Sequence, residues 1–356
     1  MISTSTPQQW TARLDTALHH RILPLPPEVC DFVRMVNLAT GVAARPEPVA
    51  LDAGLRADLE AALLGMPTRV RALVEPLLLG VCVGRGLGSS GITDIVLDAD
   101  DGSLLGCIVL LDMDLMGALS ANAWATWKDN LPFHAGPGFS VTTAIADAGA
   151  GAGADACAST RAGALQFLLL HEFGHVLTAA GDVLPRWWEP LTRIPVPGAY
   201  PFLDLSWQTT AQGRFVPRDG LDFDLRGSID FYGANKLDSE SLVLAYAGLE
   251  LSNFPSLYGA TNPYDDFAEC FATYVHTELM GKPYTLSIDL DGEPQAWLDG
   301  FWQHPRSAPK RVIMEAIFGP PRDDAGLPAR PGNSGKAPAR TDYPVAHRET
   351  APAPAR

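Results

Sequence analysis

One segment constrains this chain more than any other. Ala164-Leu165-Gln166-Phe167-Leu168-Leu169-Leu170-His171-Glu172-Phe173-Gly174-His175-Val176-Leu177 is apolar on nearly every face, yet it carries two histidines and a glutamate. A helix that is apolar all round belongs inside a domain. The pattern predicts such a helix from about Arg161 to Ala180, stopped by Gly181, the usual residue just past a helix end. Burying an imidazole or a carboxylate without a partner is costly, so these three groups need company. His171 and His175 are four residues apart, which puts both rings on one face within reach of a single ion. Glu172 lies about 100° round the helix and can reach a water on that ion without ligating it. This is the HExxH arrangement of zinc hydrolases. The bland alternative is a buried polar cluster held by hydrogen bonds alone.

A catalytic zinc site takes three protein ligands and keeps one position open for water. The metzincin continuation is missing, because Thr178 and Gly181 stand where it needs a glycine and a third histidine. The best source of the third ligand is Tyr258-Gly259-Ala260-Thr261-Asn262-Pro263-Tyr264-Asp265-Asp266-Phe267-Ala268-Glu269-Cys270-Phe271. Asn262 followed by Pro263 is a good helix cap and first helical residue. Asp265 and Glu269, four apart, then share one helical face. Spacing alone leaves Asp265 open between a metal ligand and an acid that closes a capping box three residues after the cap.

HEFGH followed by TNPYDDFAE resembles two families: the Mlc titration factor family, with its NPxEFFA pattern, and the anthrax lethal factor catalytic domain, with YGxTNxxEFFAExF. In both, the glutamate just before the aromatic-alanine element is the third zinc ligand, and that column falls on Asp265. Glu269 falls on the second acid of the lethal-factor-like pattern. The tyrosine that both families place at the active site, seven residues earlier, falls on Tyr258. The resemblance covers perhaps thirty residues. It departs at Asp265, one methylene shorter than glutamate, so either the helix approaches more closely or Glu269 takes the ligand role. The gap between His175 and Asp265 is also longer than in the lethal-factor-like pattern, which implies an inserted substrate-shaping region.

These residues together lead to an expected zinc metallopeptidase of gluzincin-like type. One Zn²⁺ is held by His171, His175 and Asp265, Glu172 is the general base, and Tyr258 donates a hydrogen bond to the developing oxyanion. Glu269 accepts the free ring N–H of a ligating histidine. A regulatory zinc protein of the Mlc titration factor type, with little proteolysis and a repressor-like partner, is the competing expectation. A deformylase-type site needs a cysteine in an EGCLS-like segment, which is absent.

The rest of the chain frames that site. The expected fold class is α+β and mainly helical: a zincin-like domain over residues 86–318 with a small β-sheet packed on the HExxH helix, and a helical region over 1–85. Residues 182–256 form the substrate-shaping insertion, and 319–356 a disordered tail rich in Pro and Ala. Helices are expected at Gln8–His20, Glu28–Ala44, Leu55–Met66, Thr68–Gly80, Ala118–Asn130, Ser239–Ser252, Pro263–Met280 and Pro309–Phe318. Ile92–Leu97 and Leu104–Leu111 read as a hairpin, Tyr284–Leu290 as a strand, and Gly136–Ala158 as a mobile loop.

A formal net charge of −15 argues against a nucleic-acid partner, leaving a peptide or protein substrate. Met1–Trp10 lacks the features of a signal peptide, and no apolar run is long enough for a membrane span, so a cytoplasmic setting is expected. The five scattered cysteines show no CxxC spacing and read as free thiols. Gly86-Leu87-Gly88-Ser89-Ser90-Gly91 matches GxGxxG, but a β-rich run follows it, so it reads as a turn. His276 reads as structural and His19-His20 as a solvated pair. Trp187, Trp188, Tyr200, Phe202 and Trp207 read as a loop-packing cluster, with the lining of a substrate groove as the alternative.

Overall fold

In a computed structural model, residues 1–147, 159–189, 191, 194–233, 236–298 and 300–319 are described. The protein is mixed α/β, and with 43% helix against 20% strand the helical part is the larger. No described helix is long and apolar enough to cross a membrane. The expected tail beyond Gly319 and the Gly/Ala-rich stretch 148–158 lie outside the described residues.

The main sheet has six strands: β1 (Ile2–Thr4), β2 (Ile22–Pro24), β3 (Glu47–Pro48), β4 (Leu78–Arg85), β5 (Gly91–Asp98) and β6 (Leu104–Asp112). Their order is β1-β5-β6-β4-β2, with β3 also on β4. The β5–β6 pair is the expected antiparallel hairpin, while β4 runs parallel to both β6 and β2. This corrects two expectations. Residues 1–85 are not simply helical, since four strands of the sheet come from them. The helix expected over Thr68–Gly80 ends at Val74, because Leu78–Arg85 is a strand buried along nearly its whole length. A strand covered on both faces reads as an unbroken apolar run, which periodicity cannot distinguish from a buried helix.

Alternation along these strands divides the core. Val81, Val83, Val109 and Leu111 face one way, toward the long helix Arg161–Ala179 and the helix Ala53–Leu64. Cys82, Ile108 and Leu110 face the other way, toward Val29 and Val33 of the helix Pro27–Ala39. The helix Arg161–Ala179, hereafter the His helix, is capped by Thr160, whose hydroxyl oxygen accepts from the Gly163 N–H at 3.1 Å. It stops where Gly181 takes a positive φ of 84°.

Against the His helix packs the acid helix, Pro263–Tyr274, which continues as a wider π turn over Val275–Leu279. A second sheet of β7 (Phe139–Ala144), β10 (Thr285–Leu290) and β11 (Glu293–Leu298) is antiparallel, in the order β11-β10-β7. β7 therefore replaces part of the loop expected over Gly136–Ala158. Within the loop-rich stretch a short hairpin joins β8 (Trp207–Thr209) to β9 (Phe215–Pro217).

The C-terminal helix Ala308–Phe318 locks onto the back of the acid helix. There the Lys310 ammonium lies 2.6 and 2.8 Å from the two carboxylate oxygens of Asp266, with both side chains fully buried. Phe202 and Trp207 are core residues: Phe202 meets Phe267 edge-on, and the Trp207 Nε1–H donates to Asp266 at 3.0 Å. Cys30, Cys82, Cys107 and Cys270 are free thiols, and Cys157 lies outside the described residues.

Candidate metal centre

Two helices bring three donor atoms together. Nε2 of His171 and Nε2 of His175 are 3.1 Å apart, and Asp265 Oδ1 lies 3.3 Å from the latter and 3.9 Å from the former. A triangle with these edges has a circumscribed circle of about 2.0 Å radius, so one point is that far from all three atoms; zinc takes nitrogen and oxygen ligands at about 2.0–2.2 Å. Among the described residues, His171, His175 and Asp265 are the group of His, Cys, Asp and Glu side chains that could hold an ion. The donor set, two imidazoles and a carboxylate, suits zinc.

The local structure accounts for each orientation. Asn262 caps the acid helix, its Oδ1 accepting from the Tyr264 and Asp265 N–H groups at 3.0 Å each. Its side-chain amide donates to Asp265 Oδ2, and the Thr261 hydroxyl donates to the same oxygen at 3.1 Å. The cap is therefore Asn262 itself, and Asp265, held by one oxygen, turns the other toward the histidines. The two helices pack closely. A Cβ at Gly174 would lie 2.6 Å from Ala268 Cα, so the His and acid helices meet at a glycine and an alanine.

Glu269, one turn further along, takes the other side of His171. Its Oε1 lies 2.9 Å from Nδ1, which leaves Nε2 of that ring facing Asp265 and His175. The Ser256 hydroxyl donates to Glu269 Oε2 at 2.7 Å, and the buried Lys128 ammonium lies 3.3 Å from the same oxygen. Burial alone would push Glu269 up. Lys128, the hydrogen bond and charge of His171, and Ser256 outweigh it and hold the carboxyl well below the usual range. Burial likewise disfavours a charged His171. The Glu269 hydrogen bond and the charges of Glu269, Glu172 and Asp265 prevail, so its pKa is raised.

Glu172 is buried beside β5, where the Thr93 hydroxyl donates to Oε2 at 2.7 Å. The Tyr258 ring centroid is 5.3 Å from that of His171, and the Tyr258 hydroxyl meets the hydroxyl of Tyr232. His276 lies apart from this group. Its Nε2–H donates to the Ile145 and Pro283 carbonyls at 2.8 and 3.0 Å, and its ring packs edge-on against Phe167, a structural role. Gly86 and Gly88 take positive φ values of 66° and 81°, as a turn requires.

Of the six sequence-predicted residues, His171, His175 and Asp265 bring their donor atoms together, Glu269 and Tyr258 lie against His171, and Glu172, next to His171 on the same helix, has its carboxylate against β5. Sequence reasoning missed Thr93, Lys128, Tyr232 and Ser256. Lys128 carried no signal, since a lone lysine in a short helix reads as surface, whereas here it is buried. Comparison with protein-family models, with curated proteins and with solved structures finds no match to this chain.

Proposed function

We propose that the chain is a zinc-dependent hydrolase of zincin type that cleaves peptide bonds. The observation that carries this reading is the triangle of donor atoms, whose edges suit one zinc ion, with Glu172 next in sequence to one ligand. The resemblance of the two motifs to the Mlc titration factor and lethal factor families points the same way. Zinc held by His171, His175 and Asp265 would supply a Lewis acid that makes a water acidic and polarises the carbonyl under attack. Glu172 takes the proton of that water and passes it to the leaving amine. Glu269 fixes the Nδ1–H tautomer of His171 and keeps its Nε2 lone pair toward the ion. Tyr258 donates to the oxyanion.

The free thiols suit a reducing, cytoplasmic setting.

Two measurements test the reading. Zinc titration should give one tight site that Asp265→Ala weakens more than Glu269→Ala does. Cleavage of casein or a peptide library should be abolished by chelator and by Glu172→Gln, the latter with zinc still bound. Zinc binding with no cleavage would favour the regulatory alternative, and no zinc binding would sink both.

A further inference from the structure

The third glycine of the GxGxxG segment is unlike the other two. Gly86 and Gly88 have positive φ, whereas Gly91 does not, so its backbone would accept any residue. What Gly91 provides is room. A Cβ there would collide with Glu172 Oε1 and lie only 3.1 Å from Glu172 Cδ and 2.9 Å from Leu168 Cδ1. Two residues along the same strand, hence on the same face, the Thr93 hydroxyl donates to Glu172 Oε2 at 2.7 Å, and it also lies 3.1 Å from the Glu172 carbonyl. The carboxylate therefore lies in a slot whose floor is a missing side chain and whose clamp is one hydroxyl.

We infer that Gly91 and Thr93 are positioning residues for the general base: Thr93 engages Oε2, and Gly91 leaves the space in which Oε1 is presented to the proton it must accept. This rests on the zinc-hydrolase reading and deepens it. Neither residue touches a proposed metal ligand through its side-chain bonds, so disturbing the slot should spare zinc and impair proton acceptance. Only a carboxylate held in one rotamer keeps a fixed distance to a reacting water, and a loose one loses the benefit of being in place.

A hydroxamic acid probes this without a known substrate, because it sheds a proton on chelating zinc and a neighbouring carboxylate accepts it. The experiment measures zinc affinity by chelator competition, and acetohydroxamate affinity of the zinc-loaded protein, for wild type, Thr93→Val, Thr93→Ser, Gly91→Ala and Glu172→Gln. Thr93→Val should bind zinc like wild type and acetohydroxamate about ten-fold more weakly, the usual worth of a hydrogen bond to a charged group. Thr93→Ser, which keeps the hydroxyl, should bind both like wild type, and Gly91→Ala should weaken the hydroxamate at least as much as Thr93→Val. Thr93→Val should have no further effect in a Glu172→Gln background, because it acts through that carboxylate. Melting of the zinc-free variants checks that each folds.

Wild-type hydroxamate affinity in Thr93→Val, or a loss that persists with Glu172→Gln, overturns the inference while leaving the zinc reading intact. A wild-type protein that binds no zinc overturns both.

Discussion

Gly174→Ala alters no proposed ligand and should nevertheless loosen the metal centre. The new Cβ would sit 2.6 Å from Ala268 Cα and 3.0 Å from its Cβ. Carbon atoms rest at about 3.5–4.0 Å, so the two helices must separate by about 1 Å. Asp265 lies three residues before Ala268 and moves with it. Its Oδ1, now 3.3 and 3.9 Å from the imidazole nitrogens, would retreat to between about 4 and 5 Å, whereas ligands at about 2.1 Å on a tetrahedral ion lie about 3.4 Å apart. Zinc affinity should fall about 100-fold, at the upper end of what displaced supporting residues cost. Overpacking should cost about 1–3 kcal/mol of stability. The stringent part is rescue: Asp265→Glu adds a carbon–carbon bond of about 1.5 Å, so Gly174→Ala with Asp265→Glu should regain most of the affinity. Competition against a chromogenic chelator gives the constants, and circular dichroism verifies the fold. Unchanged zinc binding in Gly174→Ala, or a folded double variant no tighter than the single one, would refute the idea that helix spacing explains the aspartate.

Two further outcomes follow from buried charge. Lys310→Met strands the fully buried Asp266 carboxylate and should cost about 3–5 kcal/mol in urea unfolding; adding Asp266→Leu should recover much of it, and a single variant as stable as wild type would count against the latch. His276 is buried, and desolvation, helped by Lys282, lowers its pKa to about 4. The unfolded chain therefore takes up the proton first, and stability should be lost as pH falls from about 6.5 to 4, by about 3 kcal/mol in total. His276→Gln should remove that slope, and identical pH profiles would contradict it.

The chain by itself determined the chemistry of the centre. An apolar helix with HEFGH set in it must find partners for three polar groups, and Asn262-Pro263 announces a second helix with acids one turn apart. Those are local facts, written in spacing and caps, and the helix boundaries at Arg161 and Pro263 follow from them. Local pattern failed where burial was two-sided. The Leu78–Arg85 strand lost its alternation because both faces are covered, and β1, β2 and β3 are too short to show a period at all.

Only tertiary structure places Asp265 beside both imidazole Nε2 atoms and Glu269 on Nδ1 of His171. Both occupy one face of the acid helix, and sequence left Asp265 open between cap and ligand. That placement turns on the Gly174–Ala268 contact and on which nitrogen of His171 each carboxylate meets, and these are distances between segments about ninety residues apart in the chain. The same holds for Lys128 behind Glu269 and Thr93 on Glu172. A hydrogen-bond partner supplied by another element leaves no trace in the spacing of either, because what unites them is the packing of the core and not the period of a helix or strand.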